Sequence, residues 1–387
     1  MLELLSHPLV ISFLVSAAVL AIIPAVMCNY LIFLERKIAA WMQMRIGPNR
    51  VGPWGLFQPI ADGLKFFFKE QVIPDHVNRW LYIIAPGIAV TTAFLAFAVV
   101  PFGATSPDPG EFQWVVAPGV NIGILYLFAV TSLAVYAILL GGWASNNKYS
   151  FLGALRSSAQ VISYEIPLGM SILGVILICG SLNLEDIIHY QASRGILGWN
   201  VWYQPLAFLI FFVAAMAETN RLPFDLPECE QELIGGYHTE YSAMKLAFFF
   251  LGEYTHMITV SLLVALLFLG GWHFPGIATM GPNTVVTVAI KFVVLFSKMG
   301  MFILLMMFIR WTIPRFRFDQ LMTLAWTTLI PLALGNFVLV MFAKQFQWPL
   351  WILSIGSVVL FLIPGYYGAK MSSNEKSPRL EPVPVTE

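Results

Sequence analysis

Nine apolar runs, near 9–34, 80–101, 118–141, 160–180, 202–217, 244–270, 285–309, 322–341 and 350–369, alternate along the chain with polar connectors. Runs of about 20 apolar residues cross a hydrocarbon core roughly 30 Å thick as helices. A spanning backbone must satisfy its own hydrogen bonds, and the strands of a barrel would be about half as long. The pattern therefore predicts an all-α, polytopic membrane helix bundle of nine transmembrane helices, one integral membrane domain over residues 1–371. The first run has no basic leader or small-residue cleavage signal and continues straight into "LERK", so it is expected to be retained. The segment 372–387, "SSNEKSPRLEPVPVTE", is polar and rich in Ser and Pro, and is expected to be a disordered tail.

Inside the first connector the period changes. Gln58, Asp62, Lys65 and Lys69 recur at helical spacing on one face, while Leu56, Phe57, Ile60, Leu64, Phe67 and Phe68 take the other. This predicts an amphipathic helix lying in the membrane interface. A plain interfacial anchor is one reading. The preceding stretch "RIGPNRVGP", with two Gly-Pro steps and two arginines, favours a rigid turn at the mouth of a cavity.

Composition agrees with the pattern: 58% of residues are hydrophobic and only 11% charged, too little polar surface for a soluble globule. The basic residues are strongly one-sided. Arg36, Lys37, Arg45, Arg50, Lys65, Lys69 and Arg79 fall in the first connector alone, whereas the opposite side carries only Arg194 and Lys344. The positive-inside rule then predicts an outer N-terminus, with the odd connectors and the C-terminus cytoplasmic. Cys28, Cys179 and Cys229 form no CxxC pair, and the six histidines show no HExxH spacing, so neither an iron–sulfur cluster nor a metal site is expected on this chain. With no Walker A or GxGxxG motif, nothing here cradles a nucleotide phosphate, and no nucleic-acid partner is expected.

Against this apolar background the fifth connector, "AETNRLPFDLPECEQELIGGYHTEYS", gathers Glu218, Asp225, Glu228, Glu230, Glu232 and Glu240 around a single Arg221. A solvated acidic loop is the competing reading, but Phe224, Leu226, Leu233 and Ile234 interrupt it. Two further carboxylates lie within apolar runs: Glu165 about six residues into the fourth and Glu253 about ten into the sixth, roughly 14 Å deep. His256 follows Glu253 at i+3, and Lys298 lies at a depth where it could meet Glu253 as an ion pair. Intramembrane ionisable groups mark pathways or buried partners. Crowding and burial raise carboxylate pKa values, as a proton relay requires. The set reads as an acidic funnel leading from the cytoplasmic surface toward the bilayer midplane.

On the stretches "ERKIAAWMQMRIGPNRVGPWGLFQPIADGLKFFFKE", "GWASNNKYSFLGALRSSAQVISYEIPLG", "AETNRLPFDLPECEQELIGGYHTEYS", "FFFLGEYTHM" and "PRFRFDQLMTLAW", taken in this order, the chain resembles a family of respiratory complex I membrane subunits adjoining the peripheral arm. The family comprises the H subunits of bacterial NADH:quinone oxidoreductase and their mitochondrial counterpart, NADH dehydrogenase subunit 1. The ninth helix and tail go beyond the eight-helix pattern of many members.

The resemblance implies a translocase subunit of the bacterial inner membrane that forms much of a quinone chamber and an acidic passage coupling quinone reduction to proton translocation. Quinone, as ubiquinone or menaquinone, would be the substrate. FMN and iron–sulfur clusters would sit only on partner subunits, and the partners would be the peripheral quinone-site and iron–sulfur subunits and antiporter-like membrane subunits. By carry-over, Trp41, Arg45, Asp62, Lys65 and Phe224 would border the chamber. Glu165, Glu218, Glu253, Asp225, Glu228, Glu230, Glu232 and Glu240 would form the relay. A related membrane-bound hydrogenase subunit is the nearer alternative. An antiporter-like ion-translocating subunit is the more distant one, since its two inverted repeats with mid-depth lysines are not evident in the sequence.

Overall fold

A computed structural model describes residues 8–103, 115–117, 119–225, 233–278 and 285–374. Among the described residues the chain is helical apart from one isolated bridge, between Phe274 and Ala278. Six helices there are long and apolar enough to cross a membrane: Arg79–Val99, Gly123–Ala144, Lys148–Cys179, Ala243–Phe268, Val286–Thr312 and Phe318–Gln345. Shorter apolar helices occupy Pro205–Glu218 and Leu350–Ile363. The protein is a multi-pass helical membrane bundle, and every one of the nine apolar runs carries helix.

The elements are α1 (Pro8–Met42), α2 (Gln58–Phe68), α3 (Arg79–Leu95), α4 (Gly123–Ser132), α5 (Ala134–Ala144), α6 (Lys148–Cys179), α7 (Leu184–Ala192), α8 (Pro205–Glu218), α9 (Ala243–Phe268), α10 (Val285–Thr312), α11 (Phe318–Thr323), α12 (Ile330–Gln345) and α13 (Leu350–Asn374). A π-helical stretch, Leu324–Leu329, joins α11 to α12.

The helix α9 is the axis of the bundle, and every residue from Met257 to Phe268 is buried. Two of its last carbonyls, which lack an intrahelical donor, and three carbonyls just beyond its end are met by side chains. Gln191 Nε2 donates to Leu266 O (2.9 Å), Asn200 Nδ2 to Leu267 O (2.8 Å), and Lys298 Nζ to Leu269 O, Gly271 O and His273 O (2.6, 2.8 and 2.8 Å). A cation at a helix C-terminus also complements the macrodipole. Lys298 therefore does not meet Glu253, contrary to the expectation from depth. The turn at Gly270 and Gly271 folds carbonyls back over the end of α9, and the ammonium takes those instead.

Two helix boundaries move relative to the apolar pattern, and both matter for the site. Helix α1 runs on through "ERKIAAWM" to Met42, so Glu35 and Arg36 are helical residues rather than connector residues. Helix α6 begins at Lys148, where Asn147 caps it by accepting from Tyr149 N (3.0 Å), placing Glu165 well inside a 32-residue helix.

The N-terminal half of α6 was hidden from a hydropathy reading because its buried residues are small and polar. Ser150, Ser157 and Gln160 are fully enclosed. A Cβ on Gly153 would stand 2.6 Å from Gly236 Cα, so the fifth connector lies directly on the helix.

The amphipathic α2 forms as expected, with Ile60, Leu64, Phe67 and Phe68 exposed on its apolar side. The turn before it is closed by Gly55. At φ +83°, with Pro48 O only 2.2 Å from where a Cβ would sit, that position takes no other residue without displacing the backbone.

Candidate functional site: a charged-ended cavity and the carboxylates behind it

A cavity of about 680 Å³ lies between α1, α2, α9 and α10. Its walls are mostly apolar, with Ala25, Ile32, Phe66, Phe248, Leu251 and Trp311 among them, and they also carry the charged groups of Glu35, Arg36, Asp62, Arg221, Glu253 and Arg310. On α1 the lining runs from Ala25 to Ala39, about 21 Å at the helical rise, so the site is long and mostly greasy with a charged group on its wall.

Among these charged groups Glu35 is the hub. Arg221 Nη1 donates to both its oxygens (3.2 and 3.3 Å), Tyr254 Oη donates to Oε2 (2.6 Å), and Arg310 forms a further ion pair with it. Arg221 also pairs through Nε with Glu253 Oε1 (3.0 Å), and its guanidinium stacks 4.1 Å from the Tyr254 ring centroid. Two carboxylates and two guanidiniums thus balance in a buried group, which is how charges persist where water is scarce. Nearer the connector end of α1, Arg36 Nη1 donates to Asp62 Oδ2 (2.6 Å), tying α1 to α2, and Lys65 stands 3.7 Å from the same carboxylate.

Arg221 reaches the hub because its chain segment is clamped. The fully buried Gln160 on α6 donates through Nε2 to Ala217 O and Phe224 O, each at 2.8 Å. The two bonds bracket residues 218 to 223, with Arg221 between them. Beyond the clamp, Phe316 N donates to Pro223 O (3.2 Å), and the Phe224 ring packs between Tyr164 and Phe316.

Behind Glu253 is a second, smaller cavity of about 60 Å³, lined by Glu218, Asn220, Glu253 and His256 together with Thr92 and Thr131. Glu253 belongs to the walls of both cavities. His256 Nε2 is 3.1 Å from Glu218 Oε1, and Glu165 lies within electrostatic reach of both.

Of the residues expected at the chamber, Asp62 lines the cavity, while Trp41, Arg45, Lys65 and Phe224 stand outside its lining. Of the expected relay, Glu165, Glu218 and Glu253 come together, and Asp225 acts electrostatically on Glu253. Glu240 points elsewhere: it accepts from Asn147 Nδ2 (2.8 Å) and faces His76 (3.9 Å). Glu228, Glu230 and Glu232 lie outside the described residues. Sequence reasoning missed Glu35, Arg310 and Tyr254. The signal in the sequence is the acid directly after the first apolar run, where the helix continues to Met42 instead of ending.

Asp225, outside the spanning helices, has its carboxyl raised to about 6 by burial, against the opposing pull of Arg315 (3.5 Å) and Arg221. Its ionised form is thus disfavoured in the folded protein. The stabilisation relative to the unfolded chain is complete below the ordinary carboxylate range and is lost as pH rises through about 6. D225N, which cannot ionise, should gain on the wild type as pH rises from the ordinary carboxylate range, with the gap levelling off above about 6. Thermal melting of the purified protein across this range checks it, and a gap that stays constant or narrows as pH rises to about 6 would refute the assignment.

A family profile described as NADH dehydrogenase matches residues 14–341. Among similar proteins, the first H subunit of the NADH-quinone oxidoreductase of Cytophaga hutchinsonii is 48% identical over 319 residues, covering 82% of this chain and 92% of its own length. The corresponding H subunit of Flavobacterium johnsoniae is 48% identical over 316 residues, covering 81% and 89%. NADH-quinone oxidoreductase subunit 8 of Rhodothermus marinus is 46% identical over 323 residues, covering 81% and 91%. The long, mostly apolar cavity, the charged group on its wall and these matches lead to one assignment: the chain belongs to the NADH dehydrogenase family, among the H subunits of NADH-quinone oxidoreductase.

Proposed function

We propose that this chain forms much of the quinone-binding chamber of a proton-translocating NADH:quinone oxidoreductase, together with the acidic passage through which quinone reduction drives proton movement. The observation that carries the reading is the shape and chemistry of the larger cavity. An isoprenoid quinone has an apolar tail and a head that needs hydrogen bonds and two protons, so it fits a long site that is mostly greasy and carries polar groups for the head. Ubiquinone and menaquinone share this requirement.

Electrons reach the head from an iron–sulfur cluster on a peripheral partner, with flavin on that arm as well, and antiporter-like membrane partners carry the protons onward. Reduction places negative charge beside Arg221, Arg310, Glu35 and Glu253, and this changes the proton affinity of the carboxylates without a large initial motion. Glu253, common to both cavities, passes the change to Glu218 and Glu165. Asp225 and the connector acids Glu228, Glu230 and Glu232 extend the set toward the surface. The protein sits in the bacterial inner membrane with an outer N-terminus and cytoplasmic basic connectors, an orientation supported by the bias of Lys and Arg.

A photoreactive quinone analogue tests the chamber. It should label α1 between residues 25 and 39, α2, or the first half of α9, and excess quinone should compete the label away. Labelling confined to the Gly180–Gln204 region at the far end of α6 would place the quinone on the wrong side of the bundle and defeat the proposal.

A further inference from the structure

Besides the Tyr237 phenol, the smaller cavity contains one titratable side chain that the carboxylate passage leaves out. His256 stands one turn beyond Glu253 on α9, about 4.5 Å along the axis, and the two share that cavity with Glu218. Its Nε2 lies 3.1 Å from Glu218 Oε1, with the two side chains 14% and 5% exposed. We propose that His256 carries protons between Glu253 and Glu218, joining the chamber end of the acidic passage to the end that contains Glu165. The inference rests on the passage proposed above and names the group that bridges its gap.

The chemistry favours an imidazole here. Two carboxyl groups on different helices exchange a proton only through something that accepts and donates at once, and a neutral imidazole does so through its two nitrogens. A proton arriving from Glu253 binds one ring nitrogen, and a proton leaves the other for the Glu218 carboxylate. The ring returns to neutrality as the other tautomer, no electron moves, and the same steps run in reverse. A cavity of about 60 Å³ has room for about two waters to complete the Glu253 side.

The charged groups facing His256 are Glu218 at the end of α8, Glu165 on α6 and Glu253 on α9 itself, with Arg221 held against Glu253. The α3, α4 and α5 walls of this cavity contribute only uncharged groups, including the Thr92 and Thr131 hydroxyls. Proton exchange at His256 is therefore confined to carboxylates of the passage.

The test uses the assembled complex in sealed vesicles, with H256Q and H256A beside E253Q and E218Q. Both His256 variants should oxidise NADH normally with a hydrophilic artificial acceptor, and both should lose quinone-driven pumping by at least about tenfold. Added imidazole should restore pumping severalfold in H256A and leave H256Q unchanged. The restoration should grow as pH rises through the imidazole range, because the neutral ring is the form that enters the cavity. Wild-type pumping in H256Q overturns the proposal, as does an H256A defect that imidazole leaves untouched, since a purely structural histidine behaves that way. Should E253Q and E218Q lose pumping while H256Q keeps it, only the role of His256 falls. Normal pumping in all of them defeats the passage itself.

Discussion

E253Q should lower quinone-driven proton pumping by about two orders of magnitude, while NADH oxidation with an artificial acceptor stays at the wild-type rate. The substitution keeps the volume of the side chain and removes its charge and its ability to exchange a proton. Arg221 keeps Glu35 as a partner, so the buried group survives the loss of one carboxylate. The effect is large because Glu253 lies on the wall between the two cavities and, among the described residues, no other carboxylate lines both. Pumping read from a pH-sensitive dye in vesicles, normalised to NADH consumed, checks it. A normal ratio of protons to electrons in E253Q would mean that the coupling runs elsewhere.

E35L should act differently, through stability. Glu35 is 8% exposed and accepts from Arg221 and Tyr254 while pairing with Arg310. Removing it strands two guanidiniums with only Glu253 to offset them, and breaking a buried ion group by deleting one partner costs about 3–5 kcal/mol. The variant should assemble poorly, and whatever assembles should melt well below the wild type. E35Q, which keeps the Tyr254 contact, should fall between the two. Equal melting temperatures for E35L and the wild type would show that the Glu35 cluster does not hold α1 against α9 and α10.

How far these features could be read from the sequence depends on which physical quantity each one needs. The spanning helices were legible because length and apolarity decide them, and α2 was legible because an amphipathic period of 3.6 is a local property. The start of α6 was not, because its buried face is made of serine, glycine and Gln160, which no hydropathy count distinguishes from a loop.

Within the site, Glu253 and His256 could be paired by their i, i+3 spacing alone. The partners of Arg221 could not, since Glu35 lies 186 residues away and is brought in by helix packing. Lys298 shows the limit most plainly. Counting residues gave it roughly the right depth to reach Glu253, but depth does not fix the direction in which a side chain points, and the folded-back carbonyls after α9 were invisible to the count. Glu240 was grouped with its sequence neighbours, yet the helical turn at Gly236–His238 intervenes and it reaches Asn147 and His76 instead.

The buried stretch from Met257 to Phe268 bears on energy conservation. For about 18 Å beyond His256 the helix offers no ionisable group. Its Thr259 hydroxyl is turned back onto Thr255 O, and its far end is closed by a lysine whose three donors are all committed to carbonyls. In the passage proposed above, this helix would let the carboxylates exchange protons with one compartment but not, along its own length, with the other. A respiratory enzyme that let charge slip straight across at this position would dissipate the gradient it builds, and three turns without an ionisable group would stand between the proposed passage and the opposite aqueous phase.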